Sequence, residues 1–348
     1  MHRMMLARPT SCGARALLAL AWALILITTP GCDERPEVGQ TDDGQFADPQ
    51  ARRVVSLSPA LTQIVVDLGA GDRLVGIDSN YPYPGQAPEA ESVGNLRHIN
   101  DEQLIALEPT DVLVQVEQGN TALADLRNMA RQFGWRVHTI DIRTIPDVQQ
   151  AVYSLPPSPS VSVALDMPRR GRELAEAFEE RLEAVTEAVL QQEDMRFPGT
   201  LVLTSTGPAM PMAAGVNTFI DQMLTYAGGR NVLGRAEGAY PMLDKEAIET
   251  LQPEVIVILH ARAEPPPEGM PPVLSDLDVP AVRDNRVHYL HDRMAQIPST
   301  TIPRVTAKLA KLLHPGAGEL FDAIMAGDDA SDDQFTPAVG DGPTAPGR

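Results

Sequence analysis

The feature that most limits how this chain can fold is a repeat, in which the second half restates the first. Gly71 and Gly76 stand five residues apart around Leu74-Val75, and Gly229 and Gly234 stand five apart around Val232-Leu233. Glu102 lies five residues before Leu107 and seven before Pro109, and Glu246 lies five before Leu251 and seven before Pro253. An apolar run follows each, Val112-Leu113-Val114 and Val255-Ile256-Val257-Ile258. The glycines are offset by 158 positions but the glutamates by 144, so 14 extra residues fall within Tyr81–Asn95 of the first half. A repeat on this scale means two similar folded units.

Inside each unit, short apolar runs alternate with helical segments. The first half has strands at 54–57, 74–77, 112–114 and 137–140, with helices over 60–68, 102–107 and 121–133. The second has strands at 201–203, 232–234 and 255–258 and a helix over 216–227. Such alternation predicts a mainly parallel sheet covered by helices on both faces. Between the halves, Leu174, Phe178, Leu182, Val185 and Val189 recur at four- and three-residue steps within Pro168–Gln192. That is an amphipathic helix of ~25 residues, ~37 Å long. A single stripe bounded by proline reads as a helix packed across its own lobes rather than a coiled-coil seam. The expected fold is α/β: two lobes, each with a central mainly parallel sheet flanked by helices, joined by one long backbone helix. The expected limits are 52–160 for the first lobe, 161–196 for the linking helix and 197–324 for the second lobe.

The ends of the chain have another character. Arg3, Arg8 and Arg15 precede the apolar run Ala16–Ile27, and Thr28-Thr29-Pro30-Gly31-Cys32 follows, so residues 1–31 read as a secretory signal. Gly31-Cys32 before Asp33-Glu34 resembles a bacterial lipobox, with Thr29 and Pro30 where Leu and a small residue are usual. Cys12 lies inside the signal, which leaves Cys32 as the lone mature cysteine, unable to form an internal disulfide and suited to carry a lipid. The polar stretch 32–51 reads as a flexible spacer and 325–348 as a disordered tail. No other run of ~18 apolar residues occurs, so membrane contact is expected only through the lipid. The net charge is −19, of which about −13 belongs to residues 51–326, and such a body is unsuited to nucleic acid.

Several chemistries are missing. There is no phosphate-binding Gly-x-x-x-x-Gly-Lys loop, no Gly-x-Ser-x-Gly elbow and no His-Glu-x-x-His helix. Gly69-Ala70-Gly71 opens a dinucleotide fingerprint that Leu74 breaks. His288 and His291 are three apart in an apparent strand and point to opposite faces, which disfavours shared metal ligation. His98 and His260, each near the end of a sheet element, are the histidines that could converge. No catalytic residue, metal site or resident cofactor is expected.

The extra residues of the first half follow a strand's carboxyl end, where open α/β sheets bind ligands. They contain Tyr81-Pro82-Tyr83-Pro84, and Tyr240-Pro241 stands in the second half. Tyrosines stiffened by prolines offer low-entropy contact to a flat or bulky ligand, or else are ordinary loop aromatics. Ser58, Arg97 and His98, with Thr204–Gly207, are candidate polar contacts at the other strand ends.

Arg53-Val54-Val55-Ser56-Leu57-Ser58-Pro59-Ala60-Leu61-Thr62, then Leu68–Gly76, resembles the opening of ABC-transporter substrate-binding proteins of the cobalamin, haem and ferric-siderophore group. The likeness continues through Val93-Gly94, Leu107-Glu108-Pro109, Thr218–Asp221, Ala227–Val232 and Tyr240-Pro241. It implies two α/β lobes on one long helix (a class III binding protein) that closes only slightly around ligand. It implies that Glu102 and Glu246, one per lobe, dock into arginine pockets of a permease dimer served by an ATPase. It also implies ligand contact by Tyr83 and Tyr240, the latter replacing the Trp of some corrinoid-binding members. A siderophore would look to Arg97, and haem to Tyr83, Tyr240 or His98 for an axial ligand. The expected role is therefore a monomeric, non-enzymatic carrier of a corrinoid, with a ferric siderophore or haem next. An exported α/β enzyme acting on a tetrapyrrole or metal chelate is an alternative of another class, and a sensor or adhesin scaffold a third.

Overall fold

The computed structural model describes residues 52–116, 122–192, 196–207, 210–234 and 238–325. The expected signal, Cys32, the spacer and the tail lie outside the described residues, apart from residue 325. The first lobe contains β1 (Val54–Ser56), β2 (Leu74–Ile77), β3 (Glu91–Ser92), β4 (Gly94–Asn95), β5 (His98–Ile99), β6 (Asp111–Gln115) and β7 (Arg136–Ile140). Its helices are α1 (Pro59–Asp67), α2 (Asp101–Ala106), α3 (Ala122–Phe133) and α4 (Ile145–Val152). The sheet order is β3-β2-β1-β6-β7, all parallel, while β4 and β5 form a small antiparallel hairpin. The 14 extra residues thus supply an edge strand, β3, as well as a loop.

A short α5 (Val161–Ala164) leads into the long α6 (Pro168–Leu190). The second lobe has β8 (Gly199–Ser205), β9 (Met212–Ala213), β10 (Arg230–Asn231), β11 (Val255–His260) and β12 (Val287–His291). Around them lie α7 (Phe219–Tyr226), α8 (Lys245–Leu251), α9 (Pro272–Ser275), α10 (Pro280–Arg283), α11 (Ile302–Leu313) and α12 (Gly318–Met325). Strands β10-β8-β11-β12 are parallel, and β9 runs antiparallel on β8. The strand expected at 232–234 is instead Arg230–Asn231. Gly234 is in the left-handed region at φ +60°, so the chain turns there.

The echo of Gly71 and Gly229 shifts by one residue in the structure, where Gly69 and Gly228 are the equivalent pair and Gly229 matches Ala70. Helices α1 and α7 both end in a Schellman motif: Ala70 N–H donates to Val65 O and Gly69 N–H to Val66 O, as Gly229 N–H does to Leu224 O and Gly228 N–H to Thr225 O. Gly69 and Gly228 both have φ +74°. A Cβ on Gly69 would lie 2.6 Å from Arg170, and one on Gly228 would lie 2.5 Å from Val189. The two helix ends therefore press on opposite ends of α6, and glycine is needed for both backbone and space.

One apolar core runs through α1, α4, α6, α7 and α11 and so spans both lobes. Two smaller clusters fill the remaining sheet faces, one in each lobe. Phe178, Leu182, Val185 and Val189 of α6 are buried in the shared core, with Leu174 packed against it. Further ties cross between lobes: Phe219 N–H donates to Arg143 O at 3.1 Å, and Ile145 N–H to Gln222 Oε1 at 2.6 Å. Thr300 also donates to Asp67.

Candidate functional site

Each sheet ends in a hollow at its carboxyl edge. In the first lobe a hollow of about 320 Å³ is lined by Ser58, Asp78, Asn80, Asn95, Arg97 and Gln115, with Leu57, Pro59 and Leu96. Ser58 owes its place to two duties. It caps α1 by accepting from Leu61 N–H, and its hydroxyl donates to Gln115 Oε1 at 2.7 Å, linking the ends of β1 and β6. Asp78 is 4% exposed and accepts from Asn80 N–H at 2.7 Å and its side-chain amide at 3.0 Å. Asn95 Oδ1 accepts from the main-chain N–H of Arg97 and His98 at 3.0 and 3.1 Å, shaping the β4–β5 turn. Arg97 lines this hollow, whereas His98 is exposed and is not among its lining residues.

In the second lobe a hollow of about 580 Å³ is lined by Thr204–Gly207, Ile258–Arg262, Pro267, Tyr289 and Gln296. Strands β11 and β12 end side by side, with His260 paired to His291. Their rings lie 5.3 Å apart, and Tyr289 stands edge-on to His260 at 6.1 Å. Each imidazole Nε2 faces a main-chain carbonyl, Glu264 O at 2.8 Å and Arg262 O at 2.9 Å. A carbonyl only accepts, so Nε2 is the donor in both rings. His98 does not join them. The His260–His291 pair carries one signal in the sequence, that both residues close a strand. Among the described residues, no group of three or more His, Cys, Asp or Glu is arranged to hold a metal.

The two tyrosines of the extra segment part company. Tyr81 is 5% exposed, and its hydroxyl lies 3.0 Å from Gln63 Oε1 and 2.9 Å from Gln86 Oε1. Burial, then the charge of Asp67, raises its pKa well above the ordinary value. It is a buried plug of the first lobe, which corrects its reading as a ligand contact. Tyr83 is half-buried and faces the second lobe. The Arg293 guanidinium sits 4.6 Å over its ring and donates to Pro82 O. Burial, then the charge of Asp292, raises the Tyr83 pKa against a hydrogen bond from Arg304. Asp292 in turn binds Arg304 at 3.3 Å and Lys308 at 2.8 Å. Since Tyr83 follows β2 and Arg293 follows β12, this cluster draws the carboxyl ends of the two sheets together.

Tyr240 is 41% exposed on a ribbon beside β9. Glu102 and Glu246 sit in the first turns of α2 and α8, exposed, and neither carboxylate has a hydrogen-bond or ion-pair partner among the described residues.

Two parallel-sheet lobes on one long helix, with a hollow at each sheet's carboxyl edge, define a two-lobed binding protein. Residues 54–294 match the periplasmic binding protein family, and the chain belongs to it. It is 29% identical to a vitamin B12-binding protein of Vibrio campbellii over 76% of this chain and 90% of that one. It is 24% identical to an ABC transporter substrate-binding lipoprotein of Bacillus subtilis, covering 76% of this chain and 81% of that one. A periplasmic haem-binding protein of Pseudomonas aeruginosa superposes with a TM-score of 0.64 at 25% identity, over 76% of this chain and 93% of that one.

Proposed function

We propose that the chain is the extracytoplasmic substrate-binding component of an ABC importer and carries a corrinoid between its lobes. The observation that carries this reading is the hydrogen-bonding set of the first-lobe hollow. Ser58, Asn80, Asn95 and Gln115 present donors and acceptors together around the buried Asp78. The edge of a corrin ring bears neutral primary amides, each both donor and acceptor, which such a surface can satisfy. The likeness to a B12-binding relative over most of its length supports the same choice.

Haem is the second reading, favoured by His260 and Tyr289 at the second hollow, which bring potential iron ligands to the cleft. Titration of the purified protein with cyanocobalamin, haemin and a ferric siderophore, followed by calorimetry, separates these. The corrinoid reading expects saturable heat with cyanocobalamin at the lowest concentration. Preference for haemin replaces it with the second reading, and no binding by any of the three removes the ligand class.

Delivery is assigned to Glu102 and Glu246, whose carboxylates are exposed, without a partner among the described residues, and available to a permease. Export through residues 1–31 and tethering through Cys32 complete the reading. If Cys32→Ala left the protein equally membrane-associated, the tether would be excluded.

A further inference from the structure

Neither hollow offers a broad apolar wall, yet sites for organic ligands are lined mainly by apolar and aromatic side chains. The second lobe has such a surface just outside its hollow. Residues 211–215 and 239–243 form an antiparallel ribbon: Ala213 N–H donates to Pro241 O and Leu243 N–H to Pro211 O, both at 2.9 Å, and Gly215 N–H donates to Ala239 O at 2.8 Å. These bonds flank Met212 and Met242, which face each other as a bridge pair. In this kind of pair the side chains lie closest together.

Alternation then sorts the ribbon's two faces. Ala213 and Leu243 point inward and join the second-lobe core. Met212, Tyr240 and Met242 share the other face with the buried Ala214, and Met210 precedes the ribbon by one residue. Met210 is 37% exposed, Tyr240 41% and Met242 61%. The position of this face is fixed by pairing, because Met212 lies opposite Ser205 of β8 and Thr204 Oγ1 donates to Met212 O at 3.2 Å. Thr204 and Ser205 both line the hollow. The pairing therefore sets this face beside strand residues that line the hollow.

We infer that Met210, Met212 and Met242 form, with Tyr240, the platform on which one face of a flat macrocyclic ligand rests. The inference rests on the proposed carrier function and assigns the apolar half of its site. Thioethers are polarizable and flexible, so such a platform adapts to the uneven face of a metal macrocycle where a rigid aromatic would not. Tyr240 alone gives one ring of contact, and the methionines widen it along the ribbon.

Methionine oxidation gives a direct reading, because peroxide converts an accessible thioether into a polar sulfoxide. The wild-type protein is treated with peroxide alone, with saturating cyanocobalamin, and with gallium protoporphyrin as a redox-inert haem analogue. Binding is checked by calorimetry, and oxidation is read at each methionine by mass spectrometry. Buried Met223 and Met294 serve as the protected reference, and partly exposed Met129 of α3 as the unprotected one. The expected result is that bound macrocycle slows oxidation of Met210 and Met242 by about threefold or more relative to Met129, as burial of half-exposed sulfur requires. Met242→Ser should weaken macrocycle binding by about fivefold or more.

Calorimetric binding without protection of either methionine overturns the platform and leaves the carrier function standing. Protection that appears only with permease also overturns it, since the ribbon is then a docking surface. Absence of binding by both macrocycles removes the carrier reading and the platform together.

Discussion

Asp111 stands at the first position of β6 with no solvent exposure, beside Arg52, Arg136 and His138. Burial alone would raise its pKa, but hydrogen bonds from His138, Thr110 and Arg136 outweigh it and hold the carboxyl at about 2. A carboxyl held below its unfolded value contributes stability above the unfolded pKa, and that stability is lost as pH falls through the folded one. The contribution is about 2 kcal/mol and should disappear between roughly pH 4 and pH 2. Urea unfolding of wild type and Asp111→Asn tests this. The variant should be less stable by about 2 kcal/mol near neutrality, since Arg52, Arg136 and His138 lose a buried charged acceptor, and it should lack that acid-dependent loss. A stability difference that is the same at pH 6 and pH 2.5 would count against the assignment. Nothing in local sequence announces this cluster, because its members come from three separate segments, the chain before β1, the start of β6 and β7. The same limit explains the tyrosines: Tyr81 and Tyr83 look equivalent in Tyr-Pro-Tyr-Pro, and only Gln63 of α1 and Arg293 of the second lobe distinguish them.

At the scale of elements, the 3.6-residue apolar stripe of α6 was legible because one face of the helix is buried along its length. Its ends were not. Helix α6 crosses α5 so closely that a Cβ on Gly171 would lie 2.1 Å from Ser162 Oγ and 2.3 Å from Ser162 Cβ. An exposed Gly→Ala change inside a helix would gain up to about 1 kcal/mol in helix propensity. Here overpacking should reverse the sign, with Gly171→Ala losing about 1–3 kcal/mol in urea unfolding. Ser162→Gly should recover much of that loss in the double variant, because it removes both clashing atoms. Equal destabilisation by Gly171→Ala with and without Ser162→Gly would place the cause elsewhere. The repeat shows the same mixture of legible and hidden. Gly69 and Gly228 close their helices for one reason, whereas a Cβ on Gly76 would come within 3.0 Å of Leu107, Val93 and Val55 and one on Gly234 would meet nothing within 4 Å. Equal spacing revealed the duplication, but what each glycine does depends on neighbours brought in by the fold.

For the whole molecule, the duplication matters through what it presents to a partner. The body is strongly acidic, about −13 over residues 51–326. Glu102 and Glu246 stand apart as a matched pair, one in each lobe, at corresponding first turns and without partners among the described residues. Each is favoured there by its helix dipole, which accounts for either carboxylate singly but not for the match. A pseudo-symmetric carrier offering two equivalent carboxylates suits a two-fold permease that supplies an arginine to each, with bidentate pairing available. Glu102→Ala combined with Glu246→Ala should leave calorimetric ligand affinity unchanged, because neither residue lines either hollow. Ligand uptake should fall by about tenfold or more for each lost pair, as expected when a charge-assisted contact is removed at an interface. Single variants should be intermediate, and wild-type uptake should weaken as salt screens the encounter. Uptake by the double variant at the wild-type rate, with the protein folded and ligand bound, would show that delivery runs through some other surface. A loss of ligand binding in the double variant would instead place these carboxylates in the cleft.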